Sequence, residues 1–194
     1  MSTRVLVDAN VLYSRTLRDW LALLYLESDS LFSVYWTEDI LAETMYHLRR
    51  DHPDWPGHKT RAVSEKIRGT FEGGRVEDFV PDGSFVGPDP HDQHVHAAAL
   101  ACRASILLTA DSGFSNSAAR EAESLYEVYE PDDFFVLVDD SAPDTVRAVV
   151  SKQQHYWLTR QGRANLPQAL ITAGCNCFAD RVRSHLQDID AQAS

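Results

Sequence analysis

Short apolar runs alternate along the chain with longer stretches in which apolar residues recur at helical spacing. An apolar run that ends at a polar residue is typical of a strand buried in a parallel sheet, and the longer stretches predict amphipathic helices. The predicted strands are residues 5–7, 32–36, 76–80, 105–109 and 125–129. The predicted helices are residues 15–28, 38–50, 59–71 and 91–102. This alternation predicts an α/β fold, a three-layer α/β/α sandwich with a mainly parallel central sheet.

The last third of the chain has a different pattern. Residues 134–138 fit a strand or a helix, and local pattern alone does not decide between them. Beyond them, residues 145–157, 166–172 and 177–186 are helical in pattern, with glycines between them. We therefore expect a domain over residues 1–138 and a helical C-terminal extension over residues 139–194.

Composition limits the class of protein. The 194 residues are enough for one well-buried core, and no apolar stretch has the length of a membrane span. The N-terminus lacks the basic and apolar blocks of a signal peptide. Three cysteines are too few for a disulfide framework, so we expect a protein of the reducing cytoplasm.

The charge is strongly negative but uneven. A net charge of −11 argues against a general nucleic-acid binder. Residues 44–75, however, carry seven Arg and Lys against four acids, whereas residues 121–144 carry nine acids and no Arg or Lys. The basic stretch could steer a polyanion, or it could be a solvated helix face, and the sequence leaves both open. Candidate contacts to RNA phosphates are Arg18, Arg49, Arg50, Arg61 and Arg68.

Four acids occupy suggestive places. Asp8 and Asp111 follow predicted strands, Asp92 opens an alanine-rich helix, and Glu43 lies one turn into another helix. Each alone could be a turn residue, a helix-terminus residue or a solvated charge. Together they could converge on one crevice at the carboxyl ends of the strands, where α/β proteins bind ligands. Crowded carboxylates repel one another and need a cation, and oxygen ligands suit Mg²⁺ or Mn²⁺. Such a site can activate water for attack on a phosphodiester.

A zinc site is the weaker alternative nearby. His91, His94 and His96 form a cluster in sequence, but on a helix His96 faces away from the other two. No Cys or Glu at zinc-site spacing supports them.

The acids lie within motifs that resemble those of the PIN-domain family, metal-dependent nucleases that include the VapC toxins of toxin–antitoxin pairs. The resemblance extends over about residues 1–138. The matching segments are Val5-Leu6-Val7-Asp8-Ala9-Asn10, Trp36-Thr37-Glu38-Asp39-Ile40-Leu41-Ala42-Glu43, Asp89-Pro90-His91-Asp92, Ile106-Leu107-Leu108-Thr109-Ala110-Asp111, Leu17-Arg18-Asp19 and Pro131-Asp132-Asp133-Phe134.

The resemblance implies roles for particular residues. Asp8, Glu43, Asp92 and Asp111 would be the catalytic and metal-binding set, and Asn10 and Thr109 would support the pocket. It also favours a helix over residues 132–138. Within the family the chain most resembles a branch that shares the Leu17-Arg18-Asp19 and Pro131-Asp132-Asp133-Phe134 segments. Three positions depart from that branch, which usually has an acid where His91 stands, an arginine where Gln93 stands and an apolar residue where His96 stands, so substrate contacts near Asp92 could differ.

These observations together predict a Mg²⁺- or Mn²⁺-dependent endoribonuclease, the toxin of a toxin–antitoxin pair with a cognate antitoxin protein and a possible homodimer. The alternative is a non-catalytic module of the same fold that binds RNA or protein in a regulatory role. A phosphatase of a related fold is disfavoured, because it would want a second acid where Asn10 stands.

Overall fold

The computed structural model describes residues 2–85, 92–111 and 125–193 of the chain. Its sheet has four strands in the order β2-β1-β3-β4, and every neighbouring pair is parallel. The strands are β1 (Thr3–Val7), β2 (Phe32–Tyr35), β3 (Ile106–Leu108) and β4 (Glu127–Tyr129). A parallel sheet flanked by helices confirms the predicted α/β/α fold class.

The helices lie close to the stretches predicted from the apolar spacing. They are α1 (Ala9–Tyr13), α2 (Arg15–Glu27), α3 (Glu38–Asp51), α4 (Gly57–Thr70), α5 (Gln93–Ala101), α6 (Pro131–Ser141), α7 (Pro143–Gln161), α8 (Leu166–Thr172) and α9 (Asn176–Ala193). The helix α6 covers the segment that local pattern left open, in agreement with the family resemblance. Within the described ranges, no helix is both long and apolar enough to cross a membrane.

The chain divides into two compact units. The first comprises Met1–Arg15 and Ser30–Glu130 and contains the sheet with α1, α3, α4 and α5. The second comprises Thr16–Asp29 and Pro131–Ser194 and contains α2 with the C-terminal helices. The expected boundary after residue 138 falls inside α6 and stays a prediction, whereas the expected helical character of the C-terminal region is confirmed.

The first unit is built on β1. Val5, Leu6 and Val7 are all fully buried. A strand that pairs on both edges and is covered on both faces must be apolar at every position, which explains the unbroken run in the sequence. The pairing of Val7 with Leu108 of β3 brings the ends of the two strands together.

In the second unit, a polar contact at the start of α9 connects this helix to α6. The Asp132 carboxylate of α6 accepts hydrogen bonds from the backbone N–H groups of Cys177 (2.9 Å) and Phe178 (2.7 Å). These N–H groups have no partner within the helix, so the side chain from α6 caps α9. The Phe178 ring packs edge-on against Trp20 with centroids 5.1 Å apart, and this contact joins α2 to the C-terminal helices.

The strand predicted over residues 76–80 was wrong. Trp36 and Arg75 form a single parallel bridge. The chain then turns away from the sheet, and Val80 is 80% exposed. The apolar residues at the two ends of this segment suggested a strand, but pairing does not continue beyond the backbone bond from Val76 to Trp36 (2.9 Å). The preceding turn is held close to β2, since a Cβ on Gly74 would lie 1.8 Å from the Val34 carbonyl oxygen.

This close approach predicts opposite outcomes for two adjacent glycines. We expect Gly74→Ala to lower the free energy of unfolding by about 1–3 kcal/mol, because the new methyl group would collide with backbone that cannot rotate away. Gly73→Ala is the matched control, since nothing lies within 4 Å of its Cβ position. Urea unfolding of both variants measures the difference, and equal stabilities would contradict the close packing of this turn.

Candidate active site

The pairing of β1 with β3 creates the centre of the candidate site. The backbone N–H of Asp8 donates to the Leu108 carbonyl at 3.0 Å, which continues the ladder one step past the end of β1. Asp8 and Thr109 are therefore neighbours at the carboxyl edge of the sheet. Ligands of open α/β sheets bind at this edge, so the register of two strands places an acid where chemistry is expected.

Three donors surround the carboxylate of Asp8. Its Oδ1 accepts from the backbone N–H of Ala9 at 2.6 Å. Its Oδ2 accepts from the Asn10 amide at 2.8 Å and from the Thr109 hydroxyl at 2.7 Å. Asp8 is only 8% exposed, and these bonds offset part of the free energy lost when a charge leaves water.

Asn10 and Thr109 are themselves fully engaged. The Asn10 amide also donates to the Thr109 hydroxyl at 3.0 Å, and its oxygen accepts from the backbone N–H of Ala110 at 2.8 Å. Thr109 accepts a further bond from the backbone N–H of Asp111 at 3.1 Å. Its hydroxyl thus donates once and accepts twice, which is its full capacity. The two residues expected to support the pocket do surround Asp8.

Burial is the main influence on the ionisation of Asp8. Loss of hydration raises the pKa of its carboxyl, and the bonds from Thr109 and Ala9 oppose that rise. The negative charge of Glu43 raises this pKa further, whereas His94 lowers it. The structure therefore brings Asp8, Glu43 and His94 close enough to interact electrostatically, and a nearby cation would favour the ionised carboxylate.

Glu43 reaches the site from α3. Thr37 caps this helix, and its hydroxyl oxygen accepts from the backbone N–H of Ile40 at 3.1 Å. The Glu43 side chain is 44% exposed, with one oxygen 3.4 Å from Nε2 of His47 and the other 4.0 Å from Nε2 of His94. Glu43 is therefore open to solvent and has two imidazole neighbours.

Fewer contacts are described for the other two candidate acids, Asp92 and Asp111. The backbone of Asp111 is fixed by its bond to Thr109. Asp92 lies immediately before α5, and its charge contributes, after burial, to raising the pKa of Tyr126 to about 12. Residues 86–91 and 112–124, which flank these acids, lie outside the described ranges, and so does His91. Convergence of all four carboxylates on one cleft stays a prediction.

A complete metal cage is not formed by the part of the chain that the structure describes. Among residues 2–85, 92–111 and 125–193, no three His, Cys, Asp or Glu side chains lie together in a way that could hold an ion. The chemistry of the nearest donors nevertheless suits a hard cation. Asp8 and Glu43 offer carboxylate oxygens and repel each other, and oxygen donors of this kind prefer Mg²⁺ or Mn²⁺.

His96 belongs to the interior and not to a zinc cluster. The residue is 5% exposed, and its Nδ1 lies 2.8 Å from the Tyr126 hydroxyl. Its ring also packs against Phe85, with centroids 5.5 Å apart. The departure from an apolar residue at this position is therefore accommodated by a buried tyrosine that provides a polar partner.

The candidate phosphate-binding arginines differ in environment. Arg18 is 8% exposed and belongs to α2 in the second unit, so it is the least accessible of the five. The others lie on α3 and α4 with their partners identified. Arg49 donates to the Trp55 carbonyl, Arg50 pairs with Asp51, Arg61 with Glu65 and Arg68 with Glu38. Exposed ion pairs of this kind are weak and can exchange for a phosphate, so the phosphate role stays a prediction.

A comparison with protein-family models supports the motifs independently. A family model of the PIN domain matches residues 4–113, which include all four candidate acids. The chain belongs to the PIN-domain family. PIN domains are generally nucleases, they bind nucleic acid, and they usually use divalent metal ions. No curated protein and no solved structure matches the chain significantly.

Two residues near Glu43 were not expected from the sequence. His47 follows Glu43 by one helical turn, a spacing that places both side chains on one face. His94 was considered only as a zinc ligand, and its approach to Glu43 crosses from α5 to α3. Spacing could have indicated His47, but no local signal identifies a contact such as that of His94.

The hydroxyl of Thr109 gives a test of the network. We expect Thr109→Val to lower the free energy of unfolding by about 1–3 kcal/mol, because the donors of Asn10 and Asp111 lose their shared acceptor at a fully buried position. Thr109→Ser keeps the hydroxyl and should lose clearly less. Chemical unfolding compares the pair, and equal losses would mean that the methyl group matters and the hydroxyl does not.

Burial of His96 predicts a pH-dependent stability. Burial lowers the pKa of His96 below its ordinary value of about 6.5, while Asp82 opposes this shift. The unfolded chain then binds a proton more readily than the native one. The contribution of His96 is present above about pH 6.5 and is lost as the pH falls toward the lowered native pKa.

We therefore expect His96→Leu to reduce the decline in unfolding free energy between pH 7 and pH 5, by at most about 1.4 kcal/mol per pH unit. His58→Gln, at an exposed position on α4, is the control and should keep the decline of the parent. Urea titrations across this pH range provide the slopes, and an unchanged slope in His96→Leu would show that this histidine does not titrate differently on folding.

Proposed function

We propose that the protein is a metal-dependent endoribonuclease that hydrolyses RNA phosphodiester bonds. The observation that carries the proposal is the buried carboxylate of Asp8, held by Asn10 and Thr109 at the carboxyl edge of the sheet, where the charge of Glu43 raises its pKa. Asp8 also caps α1 through the bond from Ala9, but a cap alone does not account for the bonds from Asn10 and Thr109. Membership of the PIN-domain family supports hydrolysis of nucleic acid as the reaction class.

The bonding of Asp8 leaves a defined position for a further ligand. A carboxylate offers about four lone-pair sites, and Oδ2 uses both of its own for Asn10 and Thr109. Oδ1 uses one for Ala9, and no other donor among the described residues takes its second lone pair. The three donors fix the plane of the carboxylate, so this remaining lone pair has a constant direction. Such preorganisation is what a catalytic ligand requires.

Asp8, Asp92 and Asp111 would hold one or two Mg²⁺ or Mn²⁺ ions, and Glu43 would complete the shell directly or through a water molecule. When bound, the ion would lower the pKa of water and stabilise negative charge on the phosphate. The half-exposed Glu43, with His47 and His94 beside it, is suited to take up the proton that the attacking water loses. The P–O bond to the leaving RNA strand breaks, the oxygen of that strand takes up a proton from solvent, and Glu43 returns the proton of the attacking water to solvent.

Removal of one carboxylate charge tests this assignment. We expect Asp8→Asn to reduce RNA cleavage at least about a hundredfold, because even outer contacts of a metal site typically change activity 10–100-fold. The new side-chain amide also has an N–H group where Asp8 has an acceptor oxygen. That N–H group cannot accept the hydrogen bonds that the carboxylate accepts. Cleavage of a labelled RNA panel with added Mg²⁺ or Mn²⁺, and after chelation, measures the effect.

The matched control is Asp78→Asn, which makes the same chemical change at an exposed position of the first unit. It should cleave like the parent. Cleavage by Asp8→Asn at the parental rate would contradict the nuclease proposal and favour the alternative of a non-catalytic PIN-fold module that binds RNA or protein. Parental cleavage that survives complete chelation would contradict the metal requirement alone.

The biological role that we propose is a cytoplasmic toxin neutralised by a cognate antitoxin. Its support is the resemblance of the four acid motifs to those of VapC toxins. Induced expression in a bacterial host tests it: growth should stop with the parent and continue with Asp8→Asn. Unimpaired growth with an active parent nuclease would contradict the toxin role and leave the nuclease proposal intact.

A further inference from the structure

We propose that the exposed face of α3 is a base-stacking subsite for single-stranded RNA, in which Tyr46 stacks against a nucleobase. The subsite rests on the proposed function, because it gives the RNA a path that ends at Glu43. Its members are Glu43, Tyr46, His47 and Arg50 of α3 and Tyr13 of α1, called here the α3 track.

The spacing of the α3 track places its members on one side of the helix. Tyr46, His47 and Arg50 follow Glu43 by three, four and seven positions, the intervals at which helical side chains are neighbours. Seven residues of helix rise about 10 Å, roughly the length of three stacked nucleotides at about 3.4 Å each. The track therefore leads from an acid of the candidate active site to a cation over a length that a short RNA segment can follow.

Tyr46 has the properties of a stacking platform. It is 64% exposed, whereas the aliphatic side chains Ile40, Leu41 and Leu48 of the same helix are buried. Its ring meets that of His47 nearly edge-on, with centroids 5.5 Å apart. The His47 ring in turn meets Tyr13, with centroids 6.0 Å apart. These contacts hold three rings in sequence and limit their motion, so less freedom is lost when a base packs on Tyr46.

The cationic Arg50 lies at the end of the α3 track that is farthest from Glu43. The Arg50 guanidinium is 55% exposed and donates to Asp51 at 2.7 Å, and the Tyr13 hydroxyl donates to the same carboxylate at 2.7 Å. Asp51 thereby orients both side chains. Its bond with Arg50 contributes most to keeping the pKa of Asp51 low, at about 2, so the pair stays ionised at neutral pH.

Aromatic and cationic groups continue past the end of α3. The rings of His52 and Trp55 stack in parallel with centroids 4.2 Å apart, and Lys59 Nζ lies 3.9 Å from the centre of the Trp55 ring. Such alternation of rings and positive charge is typical of surfaces that bind single-stranded nucleic acid, where bases stack and the backbone contacts cations.

The observations favour single-stranded RNA over duplex RNA. A duplex keeps its bases stacked inside and offers mainly phosphates and hydroxyls, so it selects surfaces rich in unpaired cations. Here Arg50 is shared with an acid, and the whole chain carries a net charge of −11. Stacking does not depend on net charge, because every base has a face that can pack on a tyrosine.

The test measures binding without cleavage, with the full chain in the presence of a chelator. The probes are a fluorescent single-stranded RNA, the same strand with one internal run of abasic sites, and the corresponding duplex. We expect Tyr46→Ala to weaken binding of the intact single strand roughly 5- to 150-fold, the range of one lost base–aromatic stack. Tyr46→Phe keeps the ring and should bind like the parent.

The controls separate stacking from other effects. Tyr156→Ala removes another half-exposed tyrosine, on α7 of the second unit, and should bind like the parent. The loss in Tyr46→Ala should disappear when the abasic strand is the probe, since no base remains to stack. Thermal melts should show that Tyr46→Ala folds as the parent does, because the removed ring is mostly in solvent.

Three results would overturn the inference: unchanged affinity of Tyr46→Ala for the single strand, an equal loss for the abasic strand, or an equal loss for the duplex. Any of these together with Asp8-dependent cleavage leaves the proposed function standing. Conversely, Tyr46-dependent binding by a protein that shows no Asp8-dependent cleavage supports the subsite and rejects the nuclease reaction.

Discussion

A carboxylate buried at the junction of two parallel strands is the constraint on which the first unit depends. Asp8 is stabilised by donors from three places: the start of α1, the Asn10 side chain and the residue after β3. The first two are local to the segment that follows β1, whereas the Thr109 hydroxyl is in reach only when Val7 lies opposite Leu108. A shift of one residue in this register would turn Thr109 away and remove one of the three donors from a buried charge. The acid therefore helps to specify the fold that positions it.

The same network gives a physical reason for the cation in the proposed function. Hydrogen bonds offset only part of the lost hydration, and the charge of Glu43 works against ionisation of Asp8. A divalent ion would reverse that repulsion and favour the ionised carboxylates, so metal binding and folding would be coupled. A site of this kind carries a residual instability in the free protein, which is common where function and stability compete.

Much of the fold could be predicted from the sequence because its signals are local. A short unbroken apolar run such as that of β1 predicts a strand that is covered on both faces. The neighbourhood of Asp8 and Thr109 follows at once when both end parallel strands of one sheet. The segment after Arg75 also has valine and phenylalanine residues that suit a strand, yet pairing there ends after one bridge, because a strand requires a partner that its own sequence does not identify.

The surface could not be predicted in the same way, because a count of charges does not identify their partners. The basic stretch over residues 44–75 has an excess of cations, but Arg50, Arg61 and Arg68 each face a carboxylate. Their attraction for a polyanion is correspondingly reduced, and salt would screen what remains. An acidic protein that handles RNA needs an attraction that does not rely on excess positive charge. In the function proposed above, the exposed rings of the α3 track, which leads to the candidate acid Glu43, provide one, since stacking discriminates an unpaired base from a duplex and is little affected by the negative charge of the rest of the chain.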